Sequence, residues 1–111
     1  MTVQAVKTEK ASIWKEEIKT LDGGRILKQK EKPEDKDESV TLGFVAIEAL
    51  MTQEQGETGE QKFETYRLAT LIHAGGGDKL TPEELALIKR KIGNRFPQAI
   101  VGPAWKLLNG G

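Results

Sequence analysis

The chain of 111 residues contains no cysteine. That absence excludes a disulfide framework, a thiolate zinc site and a cysteine nucleophile together. There is one histidine, His73, and there are two serines, Ser12 and Ser39. A histidine-based nucleophilic triad therefore has one base to draw on and no serine near it in sequence. Aromatic residues are 5% of the chain, too few to supply a stacking platform for single-stranded nucleic acid. Neither charge sign is in excess, with 17 basic and 17 acidic residues. This disfavours a uniformly basic nucleic-acid binder and leaves a local patch open. Apolar runs fall far short of the roughly 20 residues of a membrane span, and residues 1–7 lack the apolar core of a secretory signal. The expectation is one soluble domain with a modest core, located in the cytoplasm.

What the chain does have is helix punctuation. Thr81 caps a helix with Pro82 at its first position and Glu84 three residues after the cap, flanked by the staple pair Leu80 and Leu85. Glu83 and Glu84 open that helix, Lys89, Arg90 and Lys91 crowd its end, and Gly93 is expected to stop it. A second capping box at Thr58-Gly59-Glu60-Gln61 predicts a helix to about His73, ended by Gly75-Gly76-Gly77. Its apolar residues are Phe63, Tyr66, Leu68, Ala69, Leu71 and Ile72. Residues 43–51 are apolar nearly all round and predict a buried helix, either central or at an interface. Residues 98–108 predict a last helix that Gly102-Pro103 either kinks or restarts.

The N-terminal part is less regular. Residues 1–10 read as a flexible tail. Residues 11–28 surround the turn signal Asp22-Gly23-Gly24 and fit a β-hairpin, with a short helix capped by Ser12 and stopped by Gly23 as the alternative. The hairpin is favoured because Arg25-Ile26-Leu27-Lys28 pairs naturally across Gly23-Gly24. Residues 28–39 hold no apolar side chain other than Pro33 and predict a mobile charged loop. The reading is α+β and helix-dominant: a short N-terminal β-hairpin followed by about four packed helices, one small domain over 11–108, and a frayed end at 109–111.

Charge is unevenly distributed. Residues 38–78 carry two bases against seven acids, and residues 79–111 carry six bases against two acids. Either the two halves neutralise each other within the fold, or the basic third faces an acidic partner or drives head-to-tail self-association. No catalytic, cofactor or metal site is expected. His73 fits a helix end, where its charge suits the dipole. Glu48 fits a solvent-facing position, although its apolar neighbours would suit a buried acid. Asp35, Asp37 and Glu38 lack the calcium-loop spacing, and the glycine run lacks the lysine and Ser/Thr of a phosphate loop. The residues expected to touch a partner are Lys89, Arg90, Lys91, Arg95, Phe96 and Trp105. Trp105 would supply buried anchor area, and the cations would supply orientation and on-rate.

The runs Glu64-Thr65-Tyr66-Arg67-Leu68-Ala69, Leu80 to Lys89 as quoted above, Ile92-Gly93, and Ile100-Val101-Gly102-Pro103-Ala104-Trp105-Lys106-Leu107-Leu108 resemble small proteins of tailed bacteriophages and prophages. Those proteins typically open around an Asp-Gly turn, as at Leu21-Asp22-Gly23, and start a helix at Thr-Leu-Gly, as at Thr41-Leu42-Gly43. The similarity spans most of residues 13–108 and carries no catalytic signature. It implies phage biology. The function expected is a non-enzymatic protein–protein interaction factor, an assembly or accessory protein of the virion. The alternative is a regulator touching nucleic acid or the host transcription machinery through the same basic helix.

Overall fold

The structure is a computed structural model that describes residues 13–29 and 32–110. The tail expected at 1–10, the Ser12 cap, Lys30 and Glu31 of the charged loop, and Gly111 lie outside the described residues. Four helices form: α1 (Leu42–Met51), α2 (Gly59–His73), α3 (Pro82–Arg95) and α4 (Gln98–Leu108). Short 3-10 turns lie at Ile13–Lys15 and Gly77–Lys79.

Helix α1 is the hub. The Thr41 hydroxyl accepts a hydrogen bond from Phe44 N–H at 3.2 Å and starts the helix. Its all-round apolarity follows from its place, because it packs against α2, α3, α4 and the N-terminal turn. Leu42, Val45 and Ala46 are fully buried, with Ile18, Leu68, Ile88, Ile92 and Ala104 around them. Both expected capping boxes form. Thr58 Oγ1 accepts from Gln61 N–H at 3.1 Å and Gln61 Oε1 accepts from Thr58 N–H at 2.9 Å. Thr81 and Glu84 repeat that geometry at 3.1 and 2.9 Å.

Helix α3 departs from expectation at its end. It runs through Gly93 to Arg95 and stops because Phe96, before Pro97, is extended at φ −117° and ψ 157°. Gly93 serves packing instead: a Cβ there would lie 3.3 Å from Trp105 Cζ2. Helix α4 is one continuous element with Pro103 inside it, so no restart occurs there. At its end, Asn109 N–H reaches Trp105 O at 2.9 Å and Gly110, at φ +99°, reaches Leu107 O at 3.1 Å. This is a hydrogen-bonded helix stop.

No β-strand is present among the described residues, so the expected hairpin is replaced by three single antiparallel bridges: Glu17 with Thr41, Lys19 with Arg25, and Leu27 with Ser39. The arms part after one bridge because each finds a better neighbour. Ile18 N–H bonds Val40 O and Leu42 N–H bonds Glu16 O, both at 2.8 Å, while Val40 N–H bonds Ile26 O at 2.7 Å. Segments 16–18 and 26–28 thus both pair with the chain leading into α1. The alternative short helix shrinks to the single turn Ile13–Lys15. The base of the charged loop is tied by Lys28 N–H to Glu38 O at 2.8 Å and by the Lys28–Glu38 ion pair at 3.4 Å.

Trp14 joins this N-terminal part to the helices and is 7% exposed. Two glycines admit it. A Cβ on Gly43 would meet Trp14 O at 2.8 Å, and one on Gly77 would meet Trp14 Nε1 at 2.3 Å. The glycine run after α2 therefore does more than end a helix. Gly75, at φ +89°, makes the stop, and Gly77 makes room for the indole.

Candidate functional site

The expected basic cluster does not form one face. Its centre, Lys91, is 1% exposed. Its Nζ donates to Glu57 Oε2 at 2.8 Å and to Thr52 O at 3.1 Å, and lies 3.6 Å from Glu54 Oε2. Arg90 Nη1 donates to Glu54 Oε1 at 3.1 Å, and Asn94 Nδ2 donates to Glu54 Oε2 at 3.2 Å. Arg95 Nε donates to Thr52 Oγ1 at 3.2 Å, with its guanidinium 4.9 Å from the Phe96 ring centroid. The basic end of α3 thus clamps the acidic connector between α1 and α2. This is the internal neutralisation that the charge distribution allowed. The Asn94 amide, then Arg90 and Lys91, hold the Glu54 carboxyl below its ordinary 4.5 against the opposing effect of burial. Glu57 is lowered from the same value, first by the Glu54 N–H and then by Lys91.

A signal for Lys91 was present. It lies three residues after Ile88 and one before Ile92, within the stripe that α3 buries. A lysine in that stripe needs an internal carboxylate, and Glu57 is that carboxylate.

The other expected residues do meet. Trp105 Nε1 donates to Lys89 O at 3.0 Å, which fixes the indole against α3. Lys89 Nζ donates to Asn109 Oδ1 at 2.7 Å and sits 4.9 Å from the Trp105 ring centroid. These groups wall an open groove of ≈ 610 Å³ between α3 and α4, lined also by Pro82, Leu85, Ala86 and Leu108. Arg90, Gly93 and Asn94 complete its lining. Of the six residues expected to touch a partner, Lys89, Arg90 and Trp105 are in this groove. Lys91, Arg95 and Phe96 do not line it. Leu85, Ala86 and Leu108 went unnoticed as site residues because a helical apolar stripe carries no mark of where it leaves the core.

A second depression of ≈ 460 Å³ holds His73 and Glu48 beside Trp14, Lys15 and Lys28. The hydroxyl on its wall, Thr41, accepts the α1 capping bond. Glu48 also faces Arg95 at 4.0 Å. Among the described residues no group of three His, Cys, Asp or Glu side chains is placed to hold a metal ion. No helix there is long and apolar enough to cross a membrane. Comparison of the chain with protein-family models, with curated proteins and with solved structures finds no match.

Proposed function

We propose that this protein is a non-enzymatic interaction domain that docks a protein partner in the α3–α4 groove. The observation that carries this reading is the groove itself. Its apolar lining ends at a tryptophan already fixed by a hydrogen bond, with a lysine ammonium over the ring. A pre-ordered indole loses little side-chain entropy on binding, which is what an interface anchor requires. The matching partner segment is apolar at its centre and acidic at its edge, facing Lys89. The resemblance to small tailed-phage proteins gives the setting: an assembly or accessory factor of the virion pathway, acting in the host cytoplasm. The nucleic-acid alternative is weaker, because Lys91 is buried on Glu57 and Arg90 is paired with Glu54, leaving few free cations to contact phosphates.

The test is capture of the partner from infected or lysogenic cells after nuclease treatment, followed by binding to that purified partner. Ala86 is exposed in the groove, so Ala86→Arg fills it without touching the core. The expected result is a virion protein bound by the wild type and lost by Ala86→Arg, with Trp105→Phe intermediate. Binding that survives Ala86→Arg, or that disappears with nuclease, overturns the proposal.

A further inference from the structure

The turn before α1 holds one apolar side chain out in solvent. Gly23 N–H reaches Thr20 O at 3.0 Å and Thr20 N–H reaches Gly24 O at 2.9 Å. The Thr20 hydroxyl accepts from Gly24 N–H at 2.8 Å and donates to Asp22 Oδ1. Leu21 stands at the apex of this tied loop and is 110% exposed, as open as in an extended chain. Turns are ordinarily built from polar residues and glycine. The other exposed large apolar side chains are Leu27, Met51, Phe63 and Tyr66. Leu21 alone adjoins in sequence a carboxylate that no cation holds among the described residues. Glu64, next to Phe63, is held by Arg67 at 2.6 Å. The Thr20 hydroxyl and then the Gly24 N–H keep the Asp22 carboxyl below its ordinary 3.8, so it is charged at neutral pH.

The α3–α4 groove has the converse chemistry. Leu85, Ala86, Leu108 and Trp105 give it apolar walls. Lys89 rests on the Asn109 amide and the indole face, with no carboxylate on it among the described residues. We infer that the Leu21 turn of one copy of this chain seats in the α3–α4 groove of a second copy, with Leu21 on the apolar wall and Asp22 facing Lys89. This rests on the groove being the docking site proposed above, and it names the occupant. The contact runs between copies because Leu21 is uncovered in its own. A turn already closed by its own hydrogen bonds loses little chain entropy on docking. Two different patches of the same chain meet, so each copy carries one turn to offer and one groove to fill. Burying a fully exposed leucine strengthens binding about 10- to 100-fold. With one such anchor and one edge ion pair the contact is weak, and association appears with rising concentration.

The experiment is sedimentation equilibrium of the full chain from about 10 µM to about 1 mM. The average mass of the wild type is expected to climb above that of the monomer. Leu21→Ser keeps the groove and Ala86→Arg keeps the turn, and both positions are exposed. Each variant is expected to need at least about tenfold more protein for the same rise, while melting within a few degrees of the wild type. An equimolar mixture of the two variants restores one intact turn with one intact groove and is expected to associate more than either alone. A wild type monomeric throughout overturns the inference. So does a single variant that associates like the wild type, or a mixture no heavier than its components. If the self-contact fails in this way but Ala86→Arg still abolishes capture of a virion protein, the groove remains a docking site and its occupant is a different protein.

Discussion

Lys91→Met separates a structural lysine from a docking one. The methionine keeps most of the volume within the α3 stripe and removes the ammonium. Two acceptors then lose their donor, Glu57 Oε2 at 2.8 Å and Thr52 O at 3.1 Å, and Glu54 Oε2 loses a positive charge 3.6 Å away. Lys91 is 1% exposed and the Glu57 side chain 11%, so water cannot replace the lost bonds without opening the connector. Removing one partner of a buried pair costs about 3–5 kcal/mol. Arg90 and Asn94 still satisfy Glu54, which puts the expected loss near the lower end, about 3 kcal/mol, or a fall in melting temperature of about 12–20 °C for a domain of this size. The assay is urea unfolding followed by tryptophan emission and far-UV circular dichroism. An exposed, partner-facing lysine would change stability by no more than about 0.5 kcal/mol. A loss that small in Lys91→Met would refute the clamp. The pH dependence provides a second check. Folding lowers the Glu57 carboxyl below its ordinary 4.5, through the Glu54 N–H and then Lys91. Its contribution is complete above that value and is lost as pH falls through the folded value. Wild-type stability should therefore drop on acidification below about 4.5, and Lys91→Met should show a shallower drop because one of the two causes is gone.

Other substitutions probe the frame around the grooves. Gly77→Ala places a Cβ 2.3 Å from Trp14 Nε1; the overpacking should cost about 1–3 kcal/mol, and an unchanged melting temperature with unchanged Trp14 emission would disprove the close packing of the indole on Gly77. Thr58→Ala and Thr81→Ala each remove the hydroxyl of a capping box and should cost about 1 kcal/mol in urea unfolding, with Thr→Ser largely restoring it. Double loss of Lys91 and Glu57, as Lys91→Met with Glu57→Gln, should cost less than the sum of the single losses, because neither partner is left buried and charged. Strict additivity would mean that the two do not interact.

The helix starts were legible because a cap is a local affair. Thr58 with Gln61 and Thr81 with Glu84 satisfy their own backbone donors within one turn, so four residues suffice to announce them. Ends were less legible. Gly93 had the look of a helix stop, yet Pro97 decided the boundary, and Gly93 was kept small by Trp105 on the next helix. The hairpin signal at Asp22-Gly23-Gly24 was real as a turn, with Gly23 at φ +88°. A ladder beyond it depended on residues 38–42, which no local pattern places between the arms.

By itself the sequence determined four helices, two capping boxes, a neutral chain without thiols, and an uneven charge distribution, acidic in the middle and basic at the end. These are properties of neighbours within a turn or of simple composition. Tertiary structure alone decided which side of each helix meets the core. It put Lys91 inside on Glu57, 34 residues away in the chain, and turned Phe63 and Tyr66 outward although they share a helix with Leu68 and Ile72. Helical spacing shows that residues share a stripe. Which stripe is buried depends on the elements packed around it, and here α1 covers the inner side of α2 and leaves its aromatic side open.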